Sequence, residues 1–148
     1  MADYGVYFSI TNNTGAALGL SSTNLDDATY DGPTSIPSNN QSTLVHLDDP
    51  DFSEGASGTI VFSGNINGAV RQYSWYGSCP VGSSNDAEGP GITEWSGEGG
   101  HPTNINIYID ATTPGWTQGA QNSLTTGEAI PKVKPRNVPG VMVKFEKK

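Results

Sequence analysis

At 148 residues the chain is one domain by length, and its 34% hydrophobic and 15% charged residues describe a globular body that carries little charge. Abundant Ser, Thr and Asn, with 19 Gly and 10 Pro, argue against helices, because such side chains compete for the backbone's hydrogen bonds. A single Cys excludes an internal disulfide, no Cys/His set has zinc spacing, and a net charge of −8 excludes nucleic-acid binding by the body, which would need cations against phosphates.

The start, "MADYGVYFSI", lacks a basic segment and the roughly 7–15-residue apolar run of a secretory leader. No stretch reaches the roughly 18 apolar residues of a spanning helix. The expectation is cytoplasmic synthesis, any release without a leader, and any action at target membranes from the surface. The sequons at Asn12 and Asn40 are then expected to stay unglycosylated.

In chain order, "GVYFSIT" sets Val6, Phe8 and Ile10 on one face of a strand and Tyr7, Ser9 and Thr11 on the other. The turn "NNTG" leads into a second strand, "AALGLSS", and Thr23 to Gln41 reads as a long polar loop. "STLVHLD" is the next strand. The acidic run "LDDPDFSEG" places Asp49, Asp51 and Ser53 at alternate positions, but an EF-hand needs Gly where Glu54 stands and Glu where Ile60 stands. It reads as a solvated acidic loop. "SGTIVFSG" and "AVRQYSWY" flank "NING", whose Asn67-Gly68 signals a two-residue hairpin. Gly77-Ser78-Cys79-Pro80 follows as an apparent turn. "NINIYID" aligns Ile105, Ile107 and Ile109 on one face. These seven or so strands predict an all-β fold, a β-sandwich of short, mostly antiparallel strands.

Beyond it, residues 111–131 read as a linker carrying an isolated Trp116, which bounds a sandwich domain at 1–112 and a linker at 113–131. Residues 132–148 form a basic extension whose last segment alternates like a strand. Residues 1–131 hold fourteen carboxylates and one Arg, a net −13. The extension holds five Lys, one Arg and one Glu, a net +5, which together restore −8. Lys132, Lys134 and Arg136 could meet nucleic acid or anionic lipid by themselves, and are better suited to an acidic body, the chain's own or a neighbour's. Val141, Val143 and Phe145 would then pass a strand to another subunit and build a homo-oligomer.

Nothing in the sequence selects an enzyme, a metal or a cofactor. Cys79 has no neighbouring base to make it a thiolate, since His46 and His101 lie in no recognisable catalytic context. Glu88, Glu94 and Glu98 cluster without marking an acid and a base. "GEGGHP" lacks dinucleotide spacing, and neither a Ser-His-Asp nor a P-loop pattern occurs. Trp75, Tyr76, Trp95 and Trp116 are expected at strand ends or in loops. There they either plug the sandwich or hold an amphipathic ligand, such as a lipid headgroup or a sugar face. Ser83, Ser84 and Asn85 can supply hydrogen bonds, and Arg71 can pair with a phosphate.

"VRQYSWYGSCPVGSSN" resembles the aegerolysin signature, a basic-aromatic strand followed by Cys-Pro and a Gly-Ser-x-x-Asn loop; "EGASGTIVF" and "VYFSITNNTG" are similar to that family's upstream strands. The resemblance covers roughly Tyr4 to Asp110 and extends to small insecticidal crystal proteins of like fold. It implies a leaderless β-sandwich that binds membrane lipids, often sphingolipids. It also implies a toxin-like cytolysin component working with a larger pore-forming partner. Arg71, Tyr73, Trp75, Cys79, Pro80, Gly82, Ser83 and Asn85 match the motif. Two extra residues precede Cys-Pro, Val81 stands where many members have an aromatic, and residues 111–148 have no counterpart. With Tyr76, Ser84 and Trp95 added from the residue chemistry, these positions make the expected lipid site. The alternatives are a self-assembling structural protein and a lectin-like carbohydrate-binding module.

Overall fold

Alternation at period two builds the molecule, and the computed structural model describes residues 4–50, 55–81, 84–97 and 102–117. The strands are β1 (Val6–Asn13), β2 (Leu18–Asp26), β3 (Thr29–Asp31), β4 (Ser35–Ile36) and β5 (Ser42–Asp48). They continue with β6 (Gly55–Ile66), β7 (Ala69–Pro80), β8 (Asp86–Glu88), β9 (Ile92–Ser96) and β10 (Thr103–Asp110). No helix occurs among the described residues. The first sheet has the order β3-β5-β1-β10-β9 and the second β4-β2-β6-β7-β8. Pairing is antiparallel throughout except between β1 and β10, which run parallel from Val6 opposite Thr103 to Asn13 opposite Asp110.

The two sheets bury one core between them. Val6, Phe8, Ile10, Ile105, Ile107 and Ile109 enter it from the first sheet, and Ile60, Phe62, Tyr73 and Trp75 from the second. Each aliphatic side chain taken from water contributes about 1.5–3 kcal/mol. The β-sandwich expectation holds, and the isoleucine stripe of β10 is buried as its alternation predicts.

Asn67 and Gly68 both have positive φ, 55° and 86°, the backbone of a two-residue hairpin turn. From that turn β6 and β7 pair without a register shift, from Ile66 opposite Ala69 to Gly55 opposite Pro80. Gly77-Ser78-Cys79-Pro80 is therefore strand, not turn. The two residues by which this segment exceeds the aegerolysin motif lie within regular pairing. An insertion of two leaves every side chain on its original face.

The polar segment 23–41 is also not a loop. It holds the end of β2, all of β3, which pairs with β5, and all of β4, which pairs with β2. As edge strands they use backbone hydrogen bonds and bury little; Ile36 is the fully buried aliphatic among them, so no alternation announces them. β8 and β9 escape notice because one is three residues long and the other is broken by a bulge opposite Asn106 and Ile107. Strand pairing also continues beyond residue 112, because Trp116 forms a parallel bridge with Tyr73. Trp116 is buried, not isolated in a linker.

Candidate functional site

The aromatic positions chosen from the sequence lie in the core, apart from a half-buried Tyr76. Tyr73 and Trp75 are fully buried and stacked, with centroids 6.0 Å apart and planes 10° apart. The Trp75 indole donates to the Pro90 carbonyl at 2.7 Å. Trp95 faces inward on β9, paired with Ile105. These rings lie within strands rather than at strand ends, and Trp75 does not stand at an interface with solvent. The cause is register: Tyr73, Trp75, Gly77 and Cys79 share the inward face of β7, leaving Tyr76 half-buried on the outward face.

Arg71 is committed to the fold. Its Nη1 donates to the carbonyls of Ala111 at 2.7 Å and Thr113 at 3.0 Å. The Tyr73 hydroxyl donates to the same Thr113 carbonyl at 2.8 Å, and burial raises its pKa above the ordinary tyrosine value. Trp116 N–H donates to Gln72 O at 2.7 Å, and Ser74 N–H donates to Trp116 O at 2.9 Å. Asp110 closes this strap by accepting from the Thr112 hydroxyl at 2.6 Å and the Thr112 N–H at 2.9 Å. Those bonds hold its carboxyl below the usual range. Arg71 thus directs Nη1 at two backbone carbonyls of the strap.

Asn85 is buried, and its Nδ2 donates to Thr103 Oγ1 at 2.8 Å while the Thr103 hydroxyl donates to the Ser78 carbonyl at 2.7 Å. It is a tie between strands. Of the hydroxyl loop, Ser84 is exposed and Val81 is 43% exposed; Gly82 and Ser83 lie outside the described residues. The assembly positions Lys132, Lys134, Arg136, Val141, Val143 and Phe145 lie outside them too.

Among the described residues the candidate glutamates do not come together. Glu88 stands on the second sheet opposite Tyr76, and Glu94 on the first sheet opposite Asn106; Glu98 lies outside the described residues. Asp49 is buried rather than solvated, while Asp51, Ser53 and Glu54 lie outside the described residues. Among the described residues no group of three or more His, Cys, Asp or Glu could hold a metal ion. Cys79 is buried in β7. His46, on the outer face of the first sheet, stacks on Tyr7 at 4.1 Å and sets Nδ1 3.5 Å from Asp31 Oδ2.

A feature outside the expected site is a groove of about 270 Å³ on the outer face of the first sheet, lined by Ser9, Thr11, Ser42, Thr93, Asn106 and Tyr108 among others. Register assembles it: Thr11 lies opposite Ser42 on one side and Tyr108 on the other, and Ser9 lies opposite Asn106. The bulge in β9 adds Thr93 as the extra residue, and such bulges bend the sheet locally. The polar alternates of β1 and β10 carried this signal, but from sequence they read only as the solvent side of strands.

No family model matches the chain, and no curated protein matches it by sequence. The fold does have a solved counterpart. The crystal structure of RahU, an aegerolysin-family protein, determined in complex with a Tris molecule, superposes with a TM-score of 0.52. Identity is 8%, covering 70% of this chain and 93% of RahU. The class is therefore an all-β sandwich, and the particular architecture is the aegerolysin-like fold.

Proposed function

We propose that this chain is a non-enzymatic, aegerolysin-type recognition protein that binds the headgroup of a membrane lipid. The likeness of its fold to RahU carries the reading. Val81, which follows β7 and is 43% exposed, supports it with an apolar side chain, and Ser84 adds an exposed hydroxyl. The headgroup class follows from charge. Residues 1–131 carry a net −13, and their one Arg is bonded to two carbonyls. An anionic headgroup would meet repulsion from that body, whose one Arg is already bonded, while the other cations of the chain belong to the extension 132–148. A zwitterionic headgroup such as that of sphingomyelin suits the surface. Perforation of the membrane would fall to a larger pore-forming partner, with this chain as the targeting component of a toxin-like pair.

Vesicle sedimentation tests the reading. Sphingomyelin–sterol vesicles should bring down the full chain, phosphatidylserine vesicles should not, and Val81→Asp should weaken binding while leaving thermal unfolding unchanged. Failure to bind vesicles of any of these compositions would sink it.

A further inference from the structure

We propose that the groove on the outer face of the first sheet binds a neutral saccharide ring. The inference begins with Ser9. This residue is only 7% exposed, it lines the groove, and its hydroxyl has no hydrogen-bond partner among the described residues. Ser9 Oγ is not one of the buried atoms left without a partner, so this hydroxyl opens onto the groove, where a ligand oxygen can bond it in place of water. The same open capacity continues along the floor. Thr11 and Ser42 hydroxyls and the Asn106 carboxamide line the groove, and they too have no side-chain partner among the described residues.

The chemistry of that floor selects the ligand. None of the groove residues named is charged, so a phosphate would find no counter-charge and a metal ion no carboxylate. Hydroxyls and a carboxamide each donate and accept, which matches a polyol whose own hydroxyls do the same. Tyr108 supplies the remaining feature. It is 44% exposed, and its phenol oxygen accepts from Asn13 Nδ2 at 3.2 Å, with Asn13 also donating to Asn40 Oδ1 at 2.9 Å. That anchorage fixes an aromatic ring at the edge of the groove, where it can pack on the C–H face of a sugar. A volume of about 270 Å³ lies at the small end of ligand sites, which begin near roughly 300 Å³, the scale of one ring rather than a drug-sized molecule. The floor residues stand on β5, β1 and β10, the inner strands of the sheet, so little ordering is needed when the ligand arrives.

Titration of the full chain with methyl glucoside, methyl mannoside, methyl galactoside and N-acetylglucosamine, followed by amide shifts in NMR, tests the site. At least one sugar should produce saturable shifts centred on Thr11, Asn106 and Tyr108, whereas inorganic phosphate and calcium chloride should leave those signals in place. Thr11→Val and Tyr108→Ala should each weaken binding by about tenfold, the loss of one hydrogen bond or one ring contact. Thr11→Val keeps the shape of the strand and carries the test even where Tyr108→Ala unfolds. Val81→Asp should leave sugar affinity unchanged, which separates this site from the lipid contact. Absence of saturable shifts with all of these sugars, or affinity untouched by Thr11→Val and Ser42→Val, overturns the proposal.

Discussion

Gly77 shows how tightly one residue can be specified. A Cβ built there would stand 2.5 Å from Val6 Cγ1 and 2.9 Å from Ile105 Cδ1, side chains of the opposite sheet. The glycine is present because the sheets meet at that point. Gly77→Ala should therefore lower stability by about 1–3 kcal/mol, the cost of overpacking a filled core, read as an earlier midpoint in urea unfolding with an unchanged slope. In the sequence the same residue looks like punctuation, since Gly before Ser-Cys-Pro favours a turn. The register that carries it into the core is set by β6, and no local pattern announces that. The burial of Trp75 is hidden from the sequence for a related reason. An aromatic with a polar tip suits an interface, but the carbonyl that satisfies its N–H is that of Pro90, fifteen residues away in sequence.

At the scale of elements, the β6–β7 hairpin was legible because Asn-Gly has a conformational reason to sit where φ is positive. The strap from Asp110 to Thr117 was not. Its anchor, Arg71, bonds to backbone carbonyls, and every residue owns a carbonyl, so nothing in the sequence marks the partner. The one cation among residues 1–131 invites a phosphate reading, and the structure gives it a mechanical role. Arg71→Met keeps most of the side-chain bulk and removes both hydrogen bonds. Bonds to charged groups contribute about 1.5–3 kcal/mol when buried, and the partial exposure of Arg71 discounts that figure. A loss of about 1–2 kcal/mol is expected on the same scale. Amide exchange at Thr113 and Trp116 should quicken well before that of β10, and equal exchange in the two would remove the strap from the account.

The whole molecule responds to pH through groups distributed over its surface and core. Burial pushes the Tyr30 phenol up to about 12, and its hydroxyl donates to the Pro33 carbonyl. The unfolded chain releases that proton near pH 10 (approximately the free tyrosine value), so the favourable contribution is complete below that pH and disappears as pH rises toward 12. Tyr73 shifts in the same direction. Asp110, held down by Thr112, contributes in the opposite range: fully above the free carboxyl value, and less as pH falls through its lowered one. Circular dichroism at alkaline pH, read beside tyrosinate absorbance, should show unfolding and ionisation rising together, with a shallower loss in Tyr30→Phe. Ionisation that is complete before any loss of structure would contradict this. At this scale the sequence was most informative. Composition and period-two alternation point to a sandwich without reference to any single contact, whereas the sites depend on contacts between strands distant in the chain.

The parallel pairing of β1 with β10 places the chain's first strand beside its last described one, in the middle of a sheet. On a ribosome, β1 emerges long before β10, and meanwhile one of its edges offers open N–H and C=O groups to any passing strand. Contacts so far apart in sequence form slowly. The interval between those two events is a period of vulnerability in synthesis, when a nascent chain is open to mispairing and to capture by chaperones. For this protein, translation speed through residues 14–102 is part of the folding problem.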